Sequence, residues 1–259
     1  MKQRVALLVQ YKGSNYSGWQ IQDNANTVEE ELEKALSKLC QEKIKLTGCS
    51  RTDAGVHALA HVSHFDTSFK MPYVRMSLAL KPLLPDDIAV LASRAVSQDF
   101  NARFSTKGKQ YSYYIYNSSK ENVFIKPYVY EESRDLDLEA MQKACTYFIG
   151  EHDFRTFMAT GSSAKTTVRT IYDLNIDYVR PGLLRLKIKG NAFLYNMVRI
   201  IAGTILYVGL GKIQLEDIPK IIASKDRTKA GKTLAAKGLF LDKVFYDDNP
   251  FAECYNSDK

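Results

Sequence analysis

The sequence predicts an α+β fold built from two halves that share one order of elements. Apolar residues alternate with other residues from 5 to 11, which indicates a strand. Val28, Leu32, Leu36 and Leu39 recur at the spacing that places them on one face of a helix. The same kinds of pattern along the rest of the first half predict the order strand, helix, strand, strand, helix, strand. This is the ferredoxin-like order.

The first half is predicted to span residues 1–105. Glycines and serines after the first strand indicate a loop, and Thr27 with Glu30 fits a capping box at the start of the first helix. Pro82 and Pro85 mark the end of the second helix. The later elements of this half are predicted at 28–39, 43–49, 61–66, 72–84 and 88–96.

The second half, residues 106–259, is predicted to repeat this order more loosely. Asp137 is the expected N-cap of a helix that Gly150 terminates. Arg180-Pro181-Gly182 is the expected turn of a hairpin, and Gly209 ends a strongly apolar helix. The elements are predicted at 109–117, 138–148, 167–179, 184–189, 194–208, 215–224 and 239–246.

The composition is typical of a globular protein, with 45% hydrophobic and 25% charged residues in 259. No apolar run approaches the ~20 residues needed to cross a bilayer, so we expect no membrane interaction. The apolar stretch after the first residues is short and lacks a cleavage site, which favours a strand over a signal peptide. The four cysteines show no paired spacing, which predicts free thiols in the cytoplasm.

The positive charge is concentrated in the second half of the chain. Residues 1–100 hold 12 Lys and Arg against 11 Asp and Glu, whereas residues 101–259 hold 24 against 18. Residues 180–212 carry six basic side chains and no acidic one. Such a stripe suits the phosphates of a nucleic acid, and it equally suits a solvated lysine-rich surface.

A cysteine and three histidines are of the residue types that bind zinc: Cys49, His57, His61 and His64. No CxxC or similar pair supports this interpretation. Ala58 occupies the position where a zinc-peptidase motif needs glutamate. The sequence therefore predicts no metal site.

The strongest candidate for a catalytic residue is Asp53, which lies two residues from Arg51 on a segment of small residues and glycines. An aspartate in such a turn often only bonds its own backbone. Two distant residues favour a functional interpretation. Tyr111 opens a tyrosine-rich strand, and Arg199 lies in the apolar helix of the second half. If Arg199 is buried it needs an anion, because an unpaired buried charge is costly; the alternative is that it points to solvent.

The chain resembles the TruA branch of the pseudouridine synthases from one end to the other. Gly48 to Ala58 looks like the catalytic signature of that family. The other segments that carry the resemblance are Tyr11 to Gln20 with Thr27-Val28, Phe100 to Phe104, Lys109 to Tyr113, Asp153-Phe154, Thr167 to Arg169, Asn191 to Arg199 and Gly238 to Leu241. As an ordered set these segments are highly specific.

The resemblance implies an isomerase that converts uridine to pseudouridine at positions 38–40 of the tRNA anticodon stem-loop. It implies that Asp53 is the nucleophile, that Arg51 intrudes on the flipped base, and that Tyr111 stacks on it. Arg199 matches the arginine that pairs with the aspartate. The family fold joins two ferredoxin-like (RRM-like) halves around a central catalytic cleft. Its members act as homodimers, and the reaction needs no cofactor.

Three other interpretations stay open at this stage. A non-catalytic RNA-binding protein on the same fold has no need for the aspartate, and a metal-dependent hydrolase would use the histidines. Two departures from the family pattern keep open a paralogue with a different RNA target. Tyr195-Asn196 replaces a histidine-containing pair, and Leu234 to Lys237 replaces a proline-containing approach to Gly238.

Overall fold

The computed structural model describes residues 2–162 and 164–255. The chain divides into two compact units. The first comprises the residues up to Lys107 together with those from Leu241 onward, and the second is Gly108–Phe240. The residues after Phe240 thus group with the first unit, whereas the sequence pattern predicts one second half from 106 to 259.

The first unit contains the predicted strand–helix–strand–strand–helix–strand order. Its elements are β1 (Gln3–Tyr11), α1 (Val28–Cys40), β2 (Thr47–Gly48), β3 (His57–Thr67), α2 (Tyr73–Leu80) and β4 (Ile88–Val96). The strands pair antiparallel in the order β4-β1-β3-β2. Leu32 and Leu36 of α1 are fully buried, and each such side chain contributes about 1.5–3 kcal/mol.

The second unit repeats the order with additions. Its elements are β5 (Gly108–Asn117), β6 (Tyr130–Glu132), α3 (Leu138–Thr146), β7 (Gly150–Asp153), β8 (Val168–Arg180), β9 (Leu183–Gly190), α4 (Met197–Gly209) and α5 (Ile218–Ala223). The order β5-β9-β8-β7 is antiparallel, and β6 pairs parallel with β5. The last strand of the chain is β10 (Leu239–Phe245). The prediction of an α+β fold with ferredoxin-like halves is confirmed.

Helix α4 is the apolar element around which the second unit packs. Of its 13 residues, all except Arg199 and Tyr207 are buried. The helix begins at Met197, three residues later than predicted. Asn196 precedes it with a φ of 59°, a left-handed conformation that cannot continue a right-handed helix.

The predicted strand at 43–49 was wrong over most of its length, since only Thr47–Gly48 pairs as β2. Side chains of α1 accept hydrogen bonds from backbone N–H groups of the segment between α1 and β2. The Ile44 N–H donates to Ser37 Oγ at 3.0 Å, and the Leu46 N–H donates to Glu33 Oε1 at 2.7 Å. These amides are therefore satisfied by the helix and not by a neighbouring strand.

The capping box at Thr27 was also wrong in its chemistry, although the helix starts where predicted. Thr27 has extended backbone geometry at the N-cap, but its hydroxyl makes no cap hydrogen bond. At the other predicted cap, Asp137 accepts from the Ala140 N–H at 2.9 Å, as expected. No helix among the described residues has the length and apolarity to span a bilayer.

Candidate active site

The segment that carries Arg51 and Asp53 joins β2 to β3 and is bonded on both sides of the aspartate. The Trp19 N–H donates to the Thr52 carbonyl at 3.1 Å. The Gly55 N–H donates to the Tyr16 carbonyl at 3.2 Å. The backbone around Asp53 is thereby fixed to the loop that follows β1.

Asp53 itself begins a tight turn. Its carbonyl accepts from the Val56 N–H at 3.1 Å, and Gly55, at the third position, has a φ of +77°. That position of a type II turn favours glycine because a side chain there is strained. Next to the turn, the hydroxyls of Tyr11 and Thr52 are hydrogen-bonded at 2.7 Å in the interior.

Two glycines of the loop after β1 let the segment that carries Asp53 approach closely. A Cβ at Gly18 would overlap the Thr52 carbonyl and lie 3.2 Å from the Asp53 carbonyl carbon, and Gly18 also has a φ of +100°. A Cβ at Gly13 would overlap the Val56 carbonyl. Glycine at these positions is therefore a steric requirement of the loop that presents Asp53.

The three histidines of β3 form hydrogen bonds with backbone groups of three different loops. His57 Nδ1 accepts from the Gly13 N–H at 3.1 Å, His61 Nε2 lies 3.0 Å from the Ser50 carbonyl oxygen, and His64 Nδ1 accepts from the Ala102 N–H at 3.1 Å. The Trp19 ring stacks on His61 with 3.6 Å between centroids. Cys49 is buried, and the described residues contain no group of three His, Cys, Asp or Glu side chains that could hold a metal ion.

Arg51 and Asp53 differ in their exposure. Arg51 is exposed, and Asp53 is half-buried. The Arg51 cation also acts on Glu29, whose carboxylate accepts from the Ile21 N–H at 3.0 Å. Burial raises the pKa of Glu29, whereas the Ile21 N–H and the Arg51 charge act in the opposite direction. Arg51 is thus an exposed cation beside a partly buried carboxylate.

Tyr111 lies on β5, opposite Ile188 of β9, and only 6% of it is exposed. Its ring meets that of Phe193 edge to face, with centroids 5.2 Å apart. This packing fixes the plane of the Tyr111 ring.

Tyr113 shares a face of β5 with Tyr111 but has a structural role. It is fully buried, and its hydroxyl donates to the Ala235 carbonyl at 2.7 Å. A Cβ at Gly238 would lie 2.8 Å from the Tyr113 ring. Burial raises the pKa of Tyr113, and the charge of Arg199 acts in the opposite direction, so the two side chains are neighbours.

Arg199 is half-buried on α4, and the acceptors that orient its guanidinium include a backbone carbonyl and an amide oxygen. Nε donates to the Leu234 carbonyl at 2.7 Å, and Nη1 donates to Asn196 Oδ1 at 2.7 Å. The left-handed backbone of Asn196 brings its amide within reach three residues before the arginine. The orientation of Arg199 therefore depends on the turn before α4 and on the segment that contains Leu234.

That segment packs directly against α4. The Gly231 N–H donates to Thr204 Oγ1 at 2.9 Å. A Cβ at Gly203 would overlap the Lys232 carbonyl, so a larger residue would push the segment away. The absence of side chains on Gly203 and Gly231 thus lets the Leu234 carbonyl reach Arg199.

Comparison with known proteins identifies the family. A model described as tRNA pseudouridine synthase matches residues 7–105 and 144–247. The chain belongs to the tRNA pseudouridine synthase family. It is 49% identical over 243 residues to tRNA pseudouridine synthase A of Ruminiclostridium cellulolyticum, covering 94% of this chain and 99% of the relative. It is 48% identical to tRNA pseudouridine synthase A of Acetivibrio thermocellus, covering 93% and 99%.

Among solved structures, the archaeal box H/ACA sRNP Nop10–Cbf5 complex aligns with 94% of this chain and 49% of that chain. The identity is 12% and the TM-score is 0.39. The assignment to the tRNA pseudouridine synthase family rests on the two closer relatives and on the family model.

The four predicted site residues of this synthase family member are divided between the two units. Arg51 and Asp53 lie on one loop of the first unit, and Tyr111 and Arg199 lie in the second unit. Asn196 was missed as a site residue. An asparagine just before an apolar helix is a recognisable signal, because asparagine tolerates a left-handed φ better than most residues.

The basic segment 180–212 is less isolated from acidic residues in the structure than it is in the sequence. Arg185, Lys187 and Lys189 alternate with buried residues along β9 and share its outer face. On β8, Asp177 lies opposite Arg185 and Asp173 lies opposite Lys189. The strand pairing therefore offsets part of the positive charge that the sequence segment shows.

Proposed function

We propose that this protein isomerises uridine to pseudouridine in tRNA, with Asp53 as the nucleophile and positions 38–40 of the anticodon stem-loop as the target. The main support is its 49% identity, over nearly its whole length, to a relative named tRNA pseudouridine synthase A. The geometry of the Asp53 turn supports the assignment of the nucleophile, because fixed backbone bonds present a half-buried carboxylate.

The reaction exchanges one bond to ribose C1′ for another. The bond from C1′ to uracil N1 breaks, the bond from C1′ to C5 forms, C5 loses a proton and N1 gains one. Atoms and electrons balance without an oxidant, a metal or a nucleotide, so an ionised carboxylate is a sufficient covalent catalyst. Addition of Asp53 to uracil C6 and assistance at the sugar through a glycal are both compatible with this balance.

Of the remaining site residues, two are proposed to act on the displaced base and its vacated space, and one on the Asp53 carboxylate. A base in a folded RNA arm must leave its stack before it reacts, which costs a few kcal/mol. Arg51 is exposed and is proposed to fill the vacated space, while the packed ring of Tyr111 is proposed to stack on the uracil. Arg199 is proposed to keep the Asp53 carboxylate ionised, since a nearby cation favours the charged form.

Replacement of Asp53 by asparagine tests the nucleophile. The variant Asp53→Asn is expected to bind tRNA about as well as the wild type, because the change removes a negative charge and keeps the side-chain shape. Pseudouridine formation is expected to fall by at least about 10³-fold, because an amide is a poor nucleophile. Turnover is measured by tritium release from RNA labelled at uracil C5.

Asp23→Asn is the matched control, because Asp23 is an exposed aspartate in the same unit. It is expected to react at the wild-type rate. A normal rate in Asp53→Asn would reject Asp53 as the nucleophile, whereas loss of activity in both variants would point to a general charge effect.

Target choice needs a separate experiment, because the departures at Tyr195-Asn196 and Leu234 to Lys237 favour a paralogue as the alternative. Pseudouridine mapping of cellular tRNA with and without this protein is expected to show loss at positions 38–40. Loss at other positions would assign a different target with the same chemistry. We also propose a cytoplasmic homodimer, which size measurement in solution and cell fractionation test.

A further inference from the structure

Phe104 lies on the loop between β4 and β5 and is 78% exposed. A single exposed apolar residue needs no special explanation. Phe104 is unusual for two reasons. Hydrogen bonds fix the backbone of its loop so that the ring stays exposed, and a cation lies beside that ring.

The tip of the loop is fixed by its own polar groups. Asn101 Oδ1 accepts from the N–H groups of Arg103 at 2.9 Å and Phe104 at 3.0 Å. The Asn101 carbonyl accepts from the Ser105 N–H at 2.9 Å, and Ser105 Oγ accepts from the Asn101 N–H at 3.0 Å. The backbone at Phe104 therefore cannot turn inward without breaking these bonds.

The base of the loop is anchored in the interior. Ala102 is fully buried; its N–H donates to His64 Nδ1 at 3.1 Å, and its carbonyl accepts from the Tyr246 hydroxyl at 2.7 Å. His64 is the register partner of Thr47 in β2, and β2 leads into the segment that carries Asp53. The Phe104 loop is thus built on the same strand as the candidate catalytic loop.

The charge beside the ring indicates a nucleic acid partner. The Arg103 guanidinium carbon lies 5.5 Å from the Phe104 ring centroid. Arg103 is exposed and forms no ion pair within residues 2–162 and 164–255. A flat exposed ring next to an uncompensated planar cation offers a stacking surface to a base and a positive group to its phosphate.

We propose that Phe104 and Arg103 form a binding site for an unpaired nucleotide of the RNA substrate, outside the four residues assigned to the reaction. The inference rests on the proposed function, since it assumes an RNA substrate. The base stacks on the exposed face of Phe104, and Arg103 binds the adjoining phosphate.

Alanine substitution measures the contribution of the ring. Phe104→Ala is expected to weaken binding of an unmodified tRNA transcript by about 5- to 150-fold, the range for one stacked base. Phe104→Leu, which keeps an apolar side chain but has no flat ring, is expected to lose nearly as much. Phe124→Ala is the matched control, because Phe124 is 87% exposed and its loop contains the ion pair of Lys126 with Glu121; it is expected to bind normally.

Fluorescence gives a direct readout. The chain has one tryptophan, Trp19, which is 2% exposed and stacked on His61. In F104W the added indole is expected to be quenched by the tRNA transcript, while wild-type emission changes little. Emission of F104W that is unaffected by RNA, or normal tRNA binding by Phe104→Ala, would overturn the proposal.

The same samples separate this inference from its alternatives. If Phe104→Ala changes the oligomeric state in light scattering but leaves tRNA affinity unchanged, the ring belongs to a protein interface and the proposal is wrong. If the wild type forms pseudouridine while Phe104→Ala binds normally, only this inference fails. If the wild type forms no pseudouridine but RNA quenches F104W, the nucleotide site stands and the proposed function fails.

Discussion

Replacement of Asn196 tests whether the orientation of Arg199 controls the reaction. The Asn196 amide accepts from Arg199 Nη1 at 2.7 Å, and its backbone is left-handed with a φ of 59°. Asn196→Gly removes the amide and keeps a residue that adopts this backbone without strain. Asn196→Ala removes the same amide and adds backbone strain. Comparison of the two variants separates the lost bond from the strained backbone.

The expected size follows from the bond that is lost. A hydrogen bond to a charged group contributes about 1.5–3 kcal/mol, and each 1.36 kcal/mol in a barrier corresponds to about tenfold in rate. Arg199 keeps its bond to the Leu234 carbonyl, so we expect the rate of pseudouridine formation in Asn196→Gly to fall by about 10- to 100-fold and not to zero. Asn196→Ala is expected to have a similar rate and a Tm lower by about 2–4 °C, because a left-handed alanine costs roughly 1 kcal/mol.

The assay is single-turnover tritium release from tRNA labelled at uracil C5, with saturating protein, and tRNA affinity is measured alongside. We expect the rate to fall while affinity changes little, because the bond orients Arg199, which is proposed to act on the Asp53 carboxylate. Asn24→Gly is the control, since Asn24 is an exposed residue with a φ of 58°. A wild-type rate in Asn196→Gly would refute the argument, and an affinity loss as large as the rate loss would assign Asn196 to substrate binding.

Two further predictions concern Tyr111 and His64. Tyr111→Ala is expected to lower turnover far more than Tyr113→Phe, which keeps the buried ring and loses only the bond to Ala235; equal losses would contradict a stacking role for Tyr111. The free energy of unfolding is expected to fall as the pH drops below about 6.5. Burial lowers the pKa of His64, so the unfolded chain takes up the proton first, and stability present above the unfolded pKa is lost below it. His64→Asn is expected to flatten this dependence in melts between pH 7.5 and 5, and unchanged slopes would exclude His64 as a contributor.

Most of the fold follows from residue patterns, because alternation and helical spacing report burial directly. The strand at Ile88–Val96 lies where the sequence predicts it. The strand predicted at 43–49 failed for a tertiary reason: Ser37 and Glu33, on the preceding helix, accept the N–H groups that a partner strand would otherwise bind. A pattern of apolar residues cannot show which group accepts a backbone N–H.

The site shows the same division. The sequence singles out Asp53 through the family resemblance of residues 48–58 together with Tyr111 and Arg199, and its role as the nucleophile stays a prediction. The supporting contacts are not recognisable, since the Leu234 carbonyl that binds Arg199 is a backbone group and carries no sequence signal. Charge counts along the chain mislead for a related reason. The basic residues of β9 face the acidic residues of β8, and strand register sets this proximity.

The way Arg199 is oriented also bears on what it can do. Two of its acceptors, the Leu234 carbonyl and the Asn196 amide oxygen, are neutral. A neutral acceptor fixes the direction of a guanidinium without cancelling its positive charge, whereas a carboxylate in either position would do both. These two bonds set the direction of the guanidinium and leave its positive charge in place, which is why the rate of Asn196→Gly, rather than its Tm, is the decisive measurement.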